Sequence, residues 1–245
     1  MPRAAERPGR AVWIARHGNR VDFANQNWSL TAARPHDPEL AADGVAQARQ
    51  LARRLAAFPI KHIFSSPFLR AVETASFAAE ALQVTIKIEH GVSEWMNPEW
   101  FPANPELLHP RQMAQRFPRV DADYTSRVPH AYPEYREQED TWVRVARAAA
   151  ALTREFREDL LIVCHASTML GLIHALVRPR SASCQLAPLP ELNSGLCSLS
   201  KVVWNDGTWK LTINGDVSHL TLDRPEAAGA GSRATACSLS QEANA

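Results

Sequence analysis

Four widely separated segments of the 245-residue chain carry side chains suited to handling a phosphate ester: Arg16-His17 with Arg20, then Arg70, Glu94 and His165. A phosphate monoester is a dianion near neutral pH, and planar, permanently charged guanidinium forks bond its oxygens in pairs better than ammonium groups do. Arg16, Arg20 and Arg70 offer three such forks. A neutral histidine has a nitrogen lone pair able to attack phosphorus, giving a covalent intermediate that divides one difficult displacement into two easier steps. His17, beside Arg16, is the candidate nucleophile. The departing oxygen needs a proton and the attacking water must later lose one, a role for a carboxyl whose pKa is raised by partial burial, here Glu94. His165 would donate a hydrogen bond to the phosphoryl oxygens and share in stabilising charge during transfer. Taken singly, each is weak: a lone arginine is more often a solvated surface residue, and a histidine after an apolar strand is more often structural. Phe23, Trp28 and Trp95 read first as core or rim packing and only second as elements of specificity.

The elements that must position these residues alternate between strand and helix. Ala11 to Ala15 is an apolar run that delivers Arg16 and His17 at a strand end. Leu40, Val45, Ala48, Leu51, Ala52 and Leu55 recur at three- and four-residue intervals, predicting a crossover helix over 39–58. His62-Ile63-Phe64 is a second strand, and Ser65-Ser66-Pro67 starts a helix with Pro in its first turn, Arg70 in its opening turns and an end near Leu82. Val84, Ile86 and Ile88 alternate with Thr85, Lys87 and Glu89 as in a half-exposed strand, with Glu94 just beyond. Residues 96–136 read as an irregular insertion or lid with at most short helices. Glu137 to Arg157 is helical again, Leu160 to Cys164 a compact strand ending at His165, and Thr168 to Val177 another helix. Leu199 to Trp204 and Trp209 to Ile213 form a hairpin across Asn205-Asp206-Gly207. This order predicts an α/β three-layer sandwich, a mostly parallel central sheet with helices on both faces. Ligands of such sheets bind beyond the carboxyl ends of the strands, so four strand ends would bring the site residues to one rim.

Length and composition frame the same reading. The expected organisation is a flexible N-terminus at 1–10, one domain at 11–222 containing the 96–136 insertion, and a disordered tail at 223–245. With 27 Lys+Arg against 26 Asp+Glu, no global field steers the chain toward nucleic acid or an anionic membrane, and anion recognition must be local. The apolar run after the basic first ten residues is too short for a signal-peptide core or a spanning helix, so a cytoplasmic protein is expected. Cys164, Cys184, Cys197 and Cys237 lack ligand or pairing spacing and read as reduced thiols, with no metal site.

Arg16-His17-Gly18 after a strand (an RHG motif), Ser65-Ser66-Pro67 with Arg70 and Thr74, Glu94, and Cys164-His165-Ala166 together resemble the histidine phosphatase superfamily, also called phosphoglycerate mutase-like. The resemblance covers roughly residues 11 to 215 by motif order, and Asn193-Ser194-Gly195 resembles a late family segment. It implies a phosphoglycerate mutase-like fold, a phosphohistidine formed on His17, a phosphate pocket of Arg16, Arg70 and His165, and Glu94 as proton donor, with no cofactor. Arg16 to Asp22, Glu94-Trp95 and His165-Ala166-Ser167 are most similar to the phosphatase domains of the suppressor of T-cell receptor signalling type, where an arginine at the position of Arg20 joins the pocket. Asn19 replaces the usual Glu after the triplet, and no SH3 or ubiquitin-associated module stands before the domain here, so signalling roles are not carried over.

The function expected is that of a phosphomonoester hydrolase, with a small-molecule or phosphorylated-residue phosphoester as substrate and no nucleic-acid or membrane partner. Two alternatives stand beside it: a phosphoglycerate mutase-type phosphoryl transferase and a non-catalytic phosphate-ligand binding protein. By the same resemblance the mutase branch continues its triplet with Glu, Ser or Thr and a Trp-Asn segment, none of which stands at residues 19 to 22, and binding alone would not require both a nucleophile and a proton donor. Neither the natural substrate nor the oligomeric state is written in the sequence.

Overall fold

The computed structural model describes residues 10–178 and 190–221. The expected tail at 223–245, all but the last residue of the expected N-terminal segment, and Cys184 and Cys237 lie outside the described residues.

Six strands form one sheet: β1 (Ala11–Arg16), β2 (His62–Ser65), β3 (Ile86–Ile88), β4 (Leu160–Cys164), β5 (Leu199–Asn205) and β6 (Thr208–Asp216), in the order β3-β2-β4-β1-β5-β6. The first four in that order run parallel, with Val12 opposite Leu160 and Arg16 opposite Cys164, while β5 and β6 add an antiparallel edge. The expected hairpin closes through Asp206 and Gly207, both at positive φ (50° and 79°), the geometry a two-residue turn needs to match strand twist.

The central strands are apolar on both faces because helices cover both. Ala11, Trp13 and Ala15 of β1, with Leu161 and Val163 of β4, pack against α3 (Ala42–Leu55) and α4 (Leu69–Leu82). Val12, Ile14, Leu160 and Ile162 face the other way, onto α6 (Trp142–Glu155) and α7 (Ala166–Val177). The strand's two-residue period thus divides one apolar run between two cores. Each fully buried large side chain, such as Leu51 or Leu152, contributes about 1.5–3 kcal/mol of transfer free energy.

Several boundaries differ from expectation for local reasons. Glu39 to Ala41 do not begin α3; they run extended beside the segment after β1, with Val21 N–H donating to Glu39 O and Ala41 N–H to Asn19 O. Pro67 lies ahead of α4, whose N-cap is Phe68. Glu89 is not on an exposed face: it is buried, and its carboxylate accepts from the amides of Gly91, Arg127 and Val128 and the hydroxyls of Tyr124 and Ser126. The first turn of the 137–157 helix is π-helical (Glu137–Thr141), and Phe156 caps its end. The 96–136 stretch contains α5 (Pro110–Arg116) as its one described helix, yet Met96, Met113, Phe117 and Val128 are buried. Two short exposed helices, α1 (Val21–Ala24) and α2 (Trp28–Thr31), follow β1.

Candidate active site

The parallel strands deliver their carboxyl ends to one rim. His17 follows β1 directly, its N–H bonded to Cys164 O of β4 and its carbonyl accepting from Cys197 N–H, so β4 and the segment leading into β5 pin its backbone on both sides. Gly18 turns the chain away under α3: a Cβ there would lie 2.6 Å from Gly44 O, so the third residue of the triplet has room only as glycine. Its N–H donates to Thr74 Oγ1. Arg70 lies in the first turn of α4, and His165 is the N-cap residue of α7. Glu94 follows β3 after a 3-10 turn at His90–Val92.

These residues converge as the sequence predicted. Donor atoms of His17, Glu94 and His165 all lie within 4.8 Å of one another. His17 and His165 are 1% and 0% exposed, and their ring centroids are 5.1 Å apart. His17 Nδ1 is 2.8 Å from Gly18 O, so it carries the proton and leaves Nε2 with the lone pair. His165 Nε2 lies 2.7 Å from Ser66 Oγ, which also accepts from Phe68 N–H and so has its own proton to give; Nδ1–H then faces Glu94 Oε2 at 3.2 Å.

A cavity of about 580 Å³ opens above this cluster, with Arg16, Arg20, Arg70 and Glu94 at its polar end. Arg16 Nη1 donates to Ser194 O at 2.8 Å and Arg70 Nη2 to Glu94 Oε2 at 3.3 Å. Arg16 Nε and both Nε and Nη1 of Arg70 are buried without a partner. Buried guanidinium N–H groups left unpaired are costly, and an anion in the cavity would satisfy them. Arg20 reaches the same cavity but is held by Asp22 in a bidentate pair, its guanidinium 4.3 Å above the Phe23 ring.

The electrostatics follow from burial among these cations. Desolvation, then Arg70, His165 and Arg16, hold the His17 pKa well below 6.5, keeping the ring neutral. Desolvation also pushes His165 down to about 4. Glu94 corrects the sequence reading, which expected a raised pKa. Burial does act upward, but the interaction with His165 and the charge of Arg70 outweigh it, and the pKa lies well below 4.5. In the ligand-free site Glu94 is a carboxylate. A phosphate dianion bound to the same arginines would repel it and restore a protonated acid. His17, Glu94 and His165 also lie close enough to hold a cation, but the unpaired guanidinium donors of Arg16 and Arg70 at the same point favour an anion.

Sequence reasoning missed two acids. Asp22 is the Arg20 partner, two residues on. Asp37, with a fully buried side chain, accepts from Leu69 N–H at 2.7 Å at the start of α4 and so steadies the turn that carries Arg70. The His36-Asp37-Pro38 turn signature was its only trace in the sequence.

A mostly parallel α/β sheet carries at its carboxyl edge an arginine-lined cavity backed by two buried histidines, an arrangement able to hold an anion. The chain belongs to the histidine phosphatase superfamily (branch 1), whose family profile matches residues 12–216. It is 28% identical over 246 residues to the ecdysteroid-phosphate phosphatase of Drosophila melanogaster, covering 85% of this chain and 32% of that protein. It is also 28% identical over 254 residues to the mouse ubiquitin-associated and SH3 domain-containing protein A, covering 86% of this chain and 40% of that one. The chain therefore spans about a third to two fifths of the length of these relatives. The crystal structure of the ecdysone phosphate phosphatase of Bombix mori in complex with tungstate shares the fold, with a TM-score of 0.68 at 23% identity over 91% of this chain and 97% of that one.

Proposed function

We propose that residues 11–222 form one catalytic domain, a phosphomonoesterase that works through a phosphohistidine on His17 and needs neither metal nor bound coenzyme. The observation that carries this reading is the set of unpaired guanidinium donors on Arg16 and Arg70 beside the neutral His17 ring. In the first step the His17 Nε2 lone pair attacks phosphorus as the P–O bond to the leaving group breaks, and the departing oxygen takes the proton of Glu94. In the second, water attacks the phosphohistidine, the P–N bond breaks, and Glu94 takes the water's proton. Arg16, Arg70 and the His165 Nδ1–H hold the equatorial oxygens, and Arg20 joins them by leaving Asp22.

The outer cavity supports a substrate with a bulky apolar leaving group. Phe23, Trp95, Trp100 and Phe101 line it, with Trp95 and Trp100 edge to face at 5.0 Å. The names of the ecdysteroid-phosphate and ecdysone phosphate phosphatases it resembles point the same way. The substrate is then a small-molecule phosphoester or the phosphorylated aromatic side chain of a protein. No described helix is long and apolar enough to cross a membrane, and the free thiols of Cys164 and Cys197 support a reducing, cytoplasmic setting.

Phosphate release from p-nitrophenyl phosphate, with chelator present and no bisphosphoglycerate, is the direct test. Turnover by the wild type that vanishes in His17→Ala is expected. Interconversion of phosphoglycerates without phosphate release would replace this reading with a mutase, and tight phosphoester binding without turnover with a binding protein.

A further inference from the structure

The Glu94 carboxylate meets Arg70 and His165 and Thr168 Oγ1 donates to Ser93 O, but most of the side-chain hydrogen bonds to the backbone of this segment come from Arg144, on the opposite side of the insertion. The loop from His90 to Glu94 leaves its 3-10 turn in extended backbone and has no strand partner beyond β3. Arg144 grips it from α6: Nη2 donates to Glu94 O at 3.0 Å and Nη1 to Gly91 O at 3.0 Å, with Ser93 O and His90 O at 3.3 and 3.4 Å. The same guanidinium forks onto Glu134, Nε to Oε1 at 2.7 Å and Nη2 to Oε2 at 2.9 Å. Glu134 Oε2 also accepts from Met96 N–H at 3.0 Å and from Thr141 Oγ1 at 2.7 Å. Arg144 and Glu134 are 4% and 2% exposed. The pair therefore holds the chain on both sides of Glu94, at its own carbonyl and at the amide two residues on.

We propose that Arg144, with Glu134, is a positioning pair that aims the Glu94 carboxyl at the leaving oxygen. The inference rests on the reading of Glu94 as proton donor. Proton transfer in the transition state demands placement to within a fraction of an ångström, and a loop without ladder hydrogen bonds does not supply it unaided. A buried ion pair is poor evidence for stability, because apolar residues of similar volume fill the same space without desolvating charge. What sets this pair apart is where its spare donors go: to carbonyls of the loop bearing the acid. Lysine has three donors on one flexible atom and lacks the planar fork, so it cannot span Glu134 and the loop together.

The experiment compares kcat/KM for p-nitrophenyl phosphate with that for a primary alkyl phosphate, in Arg144→Lys, Glu134→Gln and Glu94→Gln. p-Nitrophenolate departs without a proton; an alkoxide does not. A purely structural defect lowers both values by the same factor, because it only reduces the folded fraction. Arg144→Lys is expected to lose on the order of 30-fold with the alkyl ester and no more than roughly threefold with the aryl ester, a split that general acid catalysis can produce. Equal losses on both substrates in Arg144→Lys and Glu134→Gln, with a selective loss in Glu94→Gln, would overturn the positioning role. Equal losses in Glu94→Gln would instead overturn the reading of Glu94 as the acid. Should Arg144→Lys fail to fold, Thr141→Val, which removes one hydrogen bond to Glu134 and keeps the side-chain shape, is expected to show the same selectivity at smaller size; equal losses there overturn the proposal.

Discussion

The two ends of the cavity are built in opposite ways. Its floor is lined by Arg16, Arg70 and Glu94 and backed by the buried rings of His17 and His165; His17, Arg70 and His165 are each at most 1% exposed and each attached to a strand end or the first turn of a helix. Its mouth is made of Phe23 and Trp100, 56% and 54% exposed, on the short helix α1 and on the irregular segment after Glu94. The floor is rigid because its backbone is tied into the sheet, as the His17 bonds to Cys164 and Cys197 show. The mouth lacks such ties: α1 and α2 bury no residue. In the proposed reading the phosphoryl group, the constant part of any substrate, would meet the fixed end, and the leaving group, the variable part, the adaptable one.

If the floor carries the chemistry, Arg70→Ala should lower kcat/KM for p-nitrophenyl phosphate on the order of 10²–10³-fold, the loss expected for one preorganised donor to a transition-state oxygen. A change below tenfold, measured by steady-state kinetics on folded protein, would break the distinction between the two ends. A second effect concerns the floor histidines. Burial and the arginines hold His17 well below 6.5, and burial brings His165 down to about 4. Unfolding returns both rings to their ordinary value, so the unfolded chain binds more protons from about pH 6.5 downward. Stability therefore falls as pH falls from about 6.5 toward 4. Melting temperatures across that window, with His17 and His165 ring-proton resonances that show no titration near pH 6.5 in the folded protein, are the expected pair of observations. A normal titration near 6.5 would show that the floor is open to water. The smallest effect belongs to the mouth. Trp100→Ala should raise KM for a phosphoester with a large apolar leaving group roughly three- to tenfold and leave p-nitrophenyl phosphate nearly untouched. Equal effects on both would mean that the mouth does not read the leaving group.

The floor was legible in the sequence and the mouth was not. Arg16-His17, Arg70, Glu94 and His165 each follow an apolar or alternating run short enough to be a strand, and a parallel sheet sends all such ends to one edge. Arg20 was placed at the pocket, but its pairing with Asp22 was not foreseen, since an acid two residues away carries no periodic signal. Asp37 and Arg144 escaped because they act through backbone groups, Leu69 N–H and Glu94 O, that every sequence possesses.

The sequence by itself determined the order of strands and helices, the apolar runs that had to be buried on two sides, and which charged and imidazole side chains would gather at one edge of the sheet. Those properties are local: a period of two or of about 3.6 residues, a glycine where the chain must turn, a guanidinium or an imidazole with its intrinsic chemistry. The tertiary structure decided the protonation of those groups. Glu94 was expected to have a raised pKa and has a lowered one, because the sign depends on whether desolvation or the Arg70 charge and the His165 contact prevail. That balance is set by distances of 3.2 and 3.3 Å to His165 and Arg70, residues 71 and 24 positions away along the chain, and only folding brings them together.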